Sequence, residues 1–424
     1  MRILFVLHQF YPEFSGGTER ITLNLARGLQ RAGHSTQVLA CALGNVPGAR
    51  PSDELAGALE CMVEGVPVLL LPRALLPGGA ESGFTVDAGL AARIRAWLDA
   101  REFHVAHVTH TMRAASAVLA FQQAGLPYLL TLTDFFPACY RINLMTLDGA
   151  RCAGPEQGTR CDRDCGPSMW TDEALRARYR QGRDILAGAA LRVCPSEFVA
   201  RQYRSDFPGL DFAVLPHGLD IVGMLATQAQ PRAPHEGLHL AYAGTLISQK
   251  GLDLLLRALA QVDAPGLRLT VMGARHGDPS YHADVDALMA ADPRVINLGE
   301  VSQAKFFGHL KNADLLCLPT RVPETYSLTL NEAAALGVPA LVSDLGAPAD
   351  AIRSWGGGRA VAPDDVDAWA DAIGEIVRHP GVLDSWRQRL HLPARIEEEC
   401  FFYESLYRQL LDADTAAASP ADAV

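Results

Sequence analysis

Residues 314–343 read DLLCLPTRVPETYSLTLNEAAALGVPALVS. "DLLCLPT" is a short apolar run bounded by turn residues, as a strand buried on both faces of a parallel sheet should be, and "PALVSD" is another. Between them "SLTLNEAAALG" reads as a helix closed by a glycine. Strand, helix, strand is the crossover unit that joins parallel neighbours.

The same alternation extends outward in both directions. Before it lie "LHLAYAG" (strand), "GLDLLLRALAQV" (helix), "LRLTVMG" and "RVINLG" (strands) and "AKFFGHLKNA" (helix), and after it comes the helix "VDAWADAIGEIVRH". A second series starts at the first residues. "RILFVL" is a continuous apolar run, "RITLNLARGLQRAGH" places Ile21, Leu25 and Leu29 on one helical face with Gly33 at its end, and "STQVLA" follows as a strand. "VPVLLLP", "VAHVTH", "PYLLTLT", "LRVCPS" and "FAVLP" continue it. The expected fold class is therefore α/β, with two Rossmann-like doubly wound domains facing a central cleft. The expected domains are 1–218, with a Cys-rich insertion at 139–165, and 219–392. The second begins with a Pro- and Gly-containing linker. Helices at 393–412 are expected to pack back on the first domain, and 413–424 to be a disordered tail.

A chain of 424 residues fits two domains better than one. Its formal net charge of −11 argues against non-specific nucleic-acid binding and against attraction to anionic lipid. No apolar run reaches the ~18 residues of a membrane span, and the start lacks the flanks of a signal peptide. An odd cysteine count, with Cys41, Cys61, Cys194, Cys317 and Cys400 scattered, suits a reducing compartment, so the expected location is cytoplasmic.

Three segments carry chemistry. In "FSGGTE" (14–19), Gly16 and Gly17 precede a helix, where backbone approaches a ligand easily and anions are favoured; an ordinary tight turn explains the glycines equally well. In "YAGTLISQKG" (242–251), Lys250 stands at a helix N-terminus, where a cation opposes the helix dipole unless an anion is bound. A solvated lysine is the plain alternative. In "PETYSLTLNEAAALG" (323–337), Glu324 and Glu332 flank a strand-to-helix turn, which suits the hydroxyls of a polyol. On spacing alone, a capping Glu324 and an exposed Glu332 are the simpler reading.

Together these segments resemble the family 4 glycosyltransferases, of the GT-B type, over about residues 1–410. The opening strand with its Gly-Gly loop, "VLPHGLD" at the hinge, "YAGTLISQKG" and the Glu-x7-Glu region followed by "GVPALVSD" all match. The resemblance implies a retaining transfer from a nucleotide-diphosphate sugar, UDP- or GDP-linked, with no metal at the diphosphate. It implies that Glu332 holds ribose, Glu324 contacts the donor sugar and Lys250 neutralises the diphosphate. The backbone of Ser327 and Leu328 would approach sugar or phosphate, Gly244 and Thr245 would belong to the diphosphate loop, Val301 would lie near the base, and Gly16 and Gly17 would line the cleft. This chain has Thr245 where relatives commonly have Arg, Ser327 where Gly is common, and Thr133 and Thr109 where His is common. His110 and Asp134 are the acceptor-side candidates; a strand-end His or Asp that only orients a loop is the alternative. A glycan or lipid-linked acceptor and peripheral membrane contact fit the apolar loops, though the net charge gives the latter no support.

Cys139, Cys152, Cys161 and Cys165 are spaced Cys-x12-Cys-x8-Cys-x3-Cys in a polar segment, and a similar Cys-rich insertion occurs in a subset of the family. Four thiolates fill a tetrahedral zinc shell and leave no open position, so structural zinc is the expectation. An iron–sulfur cluster, one or two disulfides and unconnected thiols are the alternatives. Against the enzyme stands a non-catalytic GT-B protein that binds nucleotide sugar or supports an assembly.

Overall fold

The computed structural model describes residues 1–165 and 171–418. The chain divides into two compact units. The first is Met1–Gly218 joined by the helix that starts at Ile396; the second is Leu219–Arg395.

The first unit is built on nine strands: β1 (Arg2–Val6), β2 (Ser35–Ala42), β3 (Arg50–Pro51), β4 (Leu59–Val63), β5 (Val66–Pro72), β6 (Val105–Val108), β7 (Tyr128–Thr131), β8 (Leu191–Cys194) and β9 (Ala213–Val214). Their order in the sheet is β3-β4-β5-β2-β1-β6-β7-β8-β9. From β5 to β9 the neighbours are parallel, and the order reverses between β1 and β6. The edge differs from the expected all-parallel sheet: β4 pairs antiparallel with both β3 and β5. Glu64 (φ 47°) and Gly65 (φ 83°) form the two-residue left-handed turn that fits a twisted hairpin. The half-exposed "LECMV" lacks the apolar run by which the other strands are recognised.

The helix Gly17–Arg31 buries Ile21, Leu25 and Leu29 as its periodicity predicts, and Gly33 (φ 88°) supplies the left-handed residue beyond its end. The single helix Ile396–Ala418 packs against it and continues past residue 412. The rest of the expected tail, 419–424, lies outside the described residues. A Cβ on Gly28 would sit 2.4 Å from Cys400 Sγ, so the two helices cross where one has no side chain. The C-terminal helix also drives polar groups into the sheet. Tyr407 Oη lies 2.7 Å from His107 Nδ1, and His107 Nε2 lies 2.7 Å from Thr131 Oγ1, which lies 2.7 Å from Tyr403 Oη. Glu399 accepts from the Gly218 amide at 2.8 Å and lies 3.1 Å from His217 Nδ1. His217 is thus a locally bonded, buried histidine.

The second unit has six parallel strands: β10 (His239–Ala243), β11 (Arg268–Met272), β12 (Val295–Gly299), β13 (Leu315–Leu318), β14 (Ala340–Ser343) and β15 (Gly358–Val361). The order is β12-β11-β10-β13-β14-β15. Alternate residues of β10 feed two cores. Leu240 and Tyr242 join Leu255, Leu259 and Trp369 on one face; Ala241 and Ala243 join Leu330, Ala333 and Leu336 on the other. This double burial is why the strands read as unbroken apolar runs. The expected linker is a correction. Ile221–Gln228 is a helix whose Ile221 and Met224 lie in the second core, because residues three and four apart share a face even in eight residues.

No disulfide joins the cysteines of the Cys-rich segment. All nine cysteines are free. Burial and the neighbouring thiols of Cys139, Cys165 and Cys152 push Cys161 up to about 12. Yet among the described residues no group of three or more His, Cys, Asp or Glu is arranged to hold a metal ion, so the structure gives the zinc expectation no support. Close backbone packing joins this region to the helix Asp172–Gly188. A Cβ on Gly158 would meet Leu175 O at 2.8 Å, and one on Gly182 of that helix would meet Pro137 O at 2.4 Å. Buried Arg178 donates to Ser82 O at 2.6 Å and to Phe136 O. The Gly154 amide donates to Cys152 Sγ at 3.4 Å.

Candidate active site

In the second unit the strand order reverses between β10 and β13, since β10 leads to β11 on one side and borders β13 on the other. Ligands of open α/β sheets sit beyond the carboxyl ends of strands at such a point. The loop after β10 carries Gly244, Thr245 and Lys250, and the loop after β13 carries Glu324 and Ser327. The structure brings the two loops together: Lys250 Nζ donates to Glu324 Oε1 at 2.6 Å. Glu324 is the more enclosed partner, its side chain 13% exposed against 35% for Lys250.

Backbone approach explains the glycines. Gly251 (φ 68°) turns the chain where a Cβ would lie 2.0 Å from Pro319 O. A Cβ on Gly273, after β11, would lie 1.9 Å from the Gly244 carbonyl oxygen. Gly346 (φ 66°) lies against Glu324, where a Cβ would be 2.6 Å from its carbonyl and 2.7 Å from its amide nitrogen. The Ala347 amide donates to that carbonyl at 2.9 Å. Glu324 is therefore fixed by its backbone as well as by its salt bridge.

Ser327 caps the helix Leu328–Ala335 with φ 72°, and its hydroxyl accepts from the Leu330 amide at 3.4 Å. The left-handed conformation is the physical reason a glycine would suit this position. Glu332, in the second turn of the helix, is 1% exposed, which removes the reading of it as an exposed helix residue. Leu328 and Val301, the latter just beyond β12, pack partly buried against the second core.

The sequence did not reveal Arg321. Its guanidinium grips Asp253 with two bonds, 2.7 and 2.8 Å, and donates to Asp364 Oδ1 at 2.7 Å and Ser248 O at 2.8 Å. It ties the turn that bears Lys250 to the loop that bears Glu324. These partners are distant in sequence, so only the adjacency of β10 and β13 reveals the contact.

The first unit has a second cluster at its own reversal point, between β1 and β6. His8 follows β1, His110 follows β6 and Asp134 follows β7. The His8 and His110 rings lie against each other, tilted by 31° with centroids 3.7 Å apart. His110 Nε2 is paired with Asp134, while its Nδ1 accepts from the Met112 amide at 3.1 Å. Asp134 Oδ1 accepts from the Phe136 amide at 2.9 Å. Glu19, in the first turn of the Gly17–Arg31 helix, is 2% exposed, with Oε1 3.8 Å from His8 Nε2. Burial raises the Glu19 carboxyl and lowers His8 well below the usual imidazole range, with His110 and Arg113 adding to the latter. Arg113 (φ 61°) donates to His8 O at 3.1 Å.

Gly16 packs against this chain's own Glu19. A Cβ would stand 2.6 Å from Glu19 Oε2, so the glycine makes room for this chain's own carboxylate. Gly17 opens the helix. Thr109 Oγ1 lies 2.7 Å from Thr22 Oγ1, and Thr133 Oγ1 donates to Thr109 O at 2.8 Å. Thr109 is thus tied to the Gly17–Arg31 helix, and Thr133 to the backbone of Thr109. His8 and Glu19 were missed as site residues; "GGTE" did place an acid in the first turn, but that is also a common dipole partner.

Solved structures with this architecture are GT-B proteins, and the fold is GT-B. Sucrose-phosphate synthase from Thermosynechococcus elongatus superposes with a TM-score of 0.71 at 17% identity, covering 97% of this chain and 99% of that one. Anabaena HepE in complex with UDP and glucose gives 0.65 at 15% identity over 98% and 100%. The profile "Glycosyl transferase 4-like domain" matches residues 16–218, and "Glycosyl transferases group 1" matches 237–379. The chain belongs to the family 4 glycosyltransferases. Among curated relatives, the phosphatidyl-myo-inositol mannosyltransferase of Mycolicibacterium smegmatis is 23% identical over 92% of this chain and 86% of its own. The glycogen synthase of Mycobacterium tuberculosis is 26% identical over 92% and 90%.

Proposed function

We propose that this glycosyltransferase moves a sugar, with retention of anomeric configuration, from a UDP- or GDP-linked donor to a hydroxyl of a glycan or lipid-linked acceptor, in polysaccharide or glycoconjugate biosynthesis. The observation that carries the reading is the Lys250–Glu324 pair at the reversal of the second sheet, with Glu332 buried in the helix that follows the Glu324 loop. HepE, crystallised with UDP and glucose, shares the fold, which supports the donor class.

Bond cleavage leaves negative charge on the departing diphosphate, and a fixed cation lowers the barrier by meeting it there. Lys250 is that cation in our reading, and it removes the need for a metal at the diphosphate. Glu324 accepts from hydroxyls of the donor sugar and Glu332 from those of the ribose. Gly244, Thr245, Ser327 and Leu328 offer backbone to the phosphates and sugar, and Val301 borders the base. His110 and Asp134 are assigned to the acceptor side. Nine free thiols agree with a reducing, cytoplasmic location, and among the described residues no helix is long and apolar enough to cross a membrane.

The test is a turnover and binding screen of UDP-, GDP-, ADP- and TDP-sugars with the native chain and Glu332→Ala. At least one donor is expected to be hydrolysed or transferred, with loss in the variant. Thr245, which removes a cation common in relatives, favours the second reading of a non-catalytic nucleotide-sugar binder. Binding without turnover of any donor selects that reading; neither binding nor turnover refutes both.

A further inference from the structure

Lys250 lies between two anchored neighbours. Before it, the Ser248 carbonyl accepts from Arg321 Nη1 at 2.8 Å, and the Gln249 carbonyl accepts from the Arg321 amide at 2.8 Å and from Thr320 Oγ1 at 3.2 Å. After it, Gly251 turns at φ 68° directly against the Pro319 carbonyl. These contacts all come from residues 319–321, and the same loop presents Glu324 one short turn later. Lys250 and Glu324 therefore belong to one closed ring. It runs along the backbone from Lys250 to Gln249, across a bond to Arg321, along the backbone to Glu324, and back through the salt bridge at 2.6 Å. We propose that Arg321 is a positioning residue for glycosyl transfer, which sets where the Lys250 ammonium stands against Glu324 and so against the departing diphosphate. The proposal rests on the reading of Lys250 and Glu324 as donor-side groups given above.

The bonds of Arg321 leave little for a phosphate. Nε donates to Asp364 Oδ1, Nη1 to Ser248 O and Asp253 Oδ1, and Nη2 to Asp253 Oδ2, so four of its five N–H groups are committed within the protein. Two carboxylates face one guanidinium, and no positive charge is left over for an anion. Tyr281 donates to Asp253 Oδ1 at 3.0 Å and so steadies the carboxylate that Arg321 grips. Asp253 lies in the first turn of the helix Leu252–Gln261, and Asp364 follows β15. One side chain thus joins the loops after β10, β13 and β15. A planar fork suits this task; a lysine in its place would keep the charge and lose the paired geometry.

Lys250 needs such support because its charge rides on a flexible four-carbon stem, and the ammonium goes where backbone and partner place it. A displacement of ~1 Å, caused away from the chemistry, costs on the order of 100-fold in rate.

The test uses the full-length chain with its lysines 13C-methylated. Lys250, Lys305 and Lys311 are the chain's lysines, and Lys311 is buried, so few resonances compete; that of Lys250 is the one missing from Lys250→Ala. Arg321→Ala is expected to move the Lys250 resonance toward its position in Glu324→Gln and to leave Lys305 unmoved. The second readout is hydrolysis of the UDP- or GDP-sugar that the native chain turns over. Arg321→Ala is expected to lower kcat about 100-fold. In a Lys250→Ala background the same change should cost less than about threefold, because residues that act through one another are not additive. Millimolar guanidinium should restore turnover to Arg321→Ala and not to the double variant, and Arg321→Lys should stay near Arg321→Ala. Asp253→Asn keeps the shape of the carboxylate without its charge; it should shift the same resonance and serves if Arg321→Ala does not fold. The proposal is overturned if the Lys250 resonance stays in place in both variants, or if Arg321→Ala costs as much without Lys250 as with it. Arg321 then supports the fold alone. If no donor is turned over, the proposed function falls, while the Lys250 resonance still decides the positioning.

Discussion

Neutralising Glu324 and removing Lys250 should change nucleotide affinity in opposite directions. The pair is joined at 2.6 Å, so a diphosphate that reaches Lys250 also meets the Glu324 charge. At an effective dielectric of ~20, two unit charges about 5 Å apart interact by roughly 3 kcal/mol before solvent screening. Lys250 is a third exposed, so we keep about a third of that, ~1 kcal/mol. Glu324→Gln is then expected to bind free UDP or GDP about fivefold more tightly, while losing turnover because the sugar loses an acceptor. Lys250→Ala removes a charge-assisted bond of ~1.5–3 kcal/mol and should weaken nucleotide binding about 10- to 100-fold. Isothermal titration calorimetry of both variants and the double variant measures this, with thermal unfolding alongside to show that each is folded. If Glu324→Gln weakens free nucleotide as much as Lys250→Ala does, the pair serves to hold the loops rather than to present charge, and the reasoning fails.

Three further outcomes follow from the geometry. Gly346→Ala forces a Cβ into the Glu324 backbone from a left-handed φ, so it should cost ~1–3 kcal/mol of stability and most of the turnover, read by thermal unfolding and donor hydrolysis. Burial pushes the Asp206 carboxyl up to about 7, well above its unfolded value near 4. Between those values the folded chain holds a proton that the unfolded chain has lost, so stability falls as pH rises through this window and stays reduced above it. Asp206→Asn should therefore stabilise at pH 8, by up to about 4 kcal/mol, and gain little at pH 4; urea unfolding at both values checks the sign. Tyr407→Phe strips His107 Nδ1 of its partner and should lower stability by ~1–3 kcal/mol at neutral pH. Because burial holds His107 down to about 3, its neutral form contributes stability that is lost as pH falls below ~6.5, which acid titration of unfolding should show.

The strands of both sheets were legible because burial on two faces leaves unbroken apolar runs; Lys250 and Glu324 were singled out by the family resemblance, since spacing alone fits a solvated lysine and a capping carboxylate as well. Other features resist a linear reading for physical reasons. The β4 edge is half-exposed, so its composition carries no run. Ile221–Gln228 is too short to display a period, and Pro and Gly beside it imitate a linker. Glu332 has the spacing of a surface residue, and only helix placement against the sheet buries it. Arg321 and the His8–Glu19–His110 contacts depend on which strands adjoin, and no local signal encodes strand order. The Cys-rich segment meets partners distant in sequence. The glycine contacts that hold the segment lie on a helix beginning at Asp172, outside the motif.

The helix Ile396–Ala418 sets an order of events during synthesis. The polypeptide emerges from its N-terminus, and domains generally fold as they appear. Here His107 and Thr131 gain their tyrosine partners only when Tyr403 and Tyr407 arrive, and those follow the whole second unit in the chain. The second unit, Leu219–Arg395, has its whole core beforehand. The half translated first is thus the half completed last, and a nascent chain stalled before Ile396 presents a finished second unit beside an open first one.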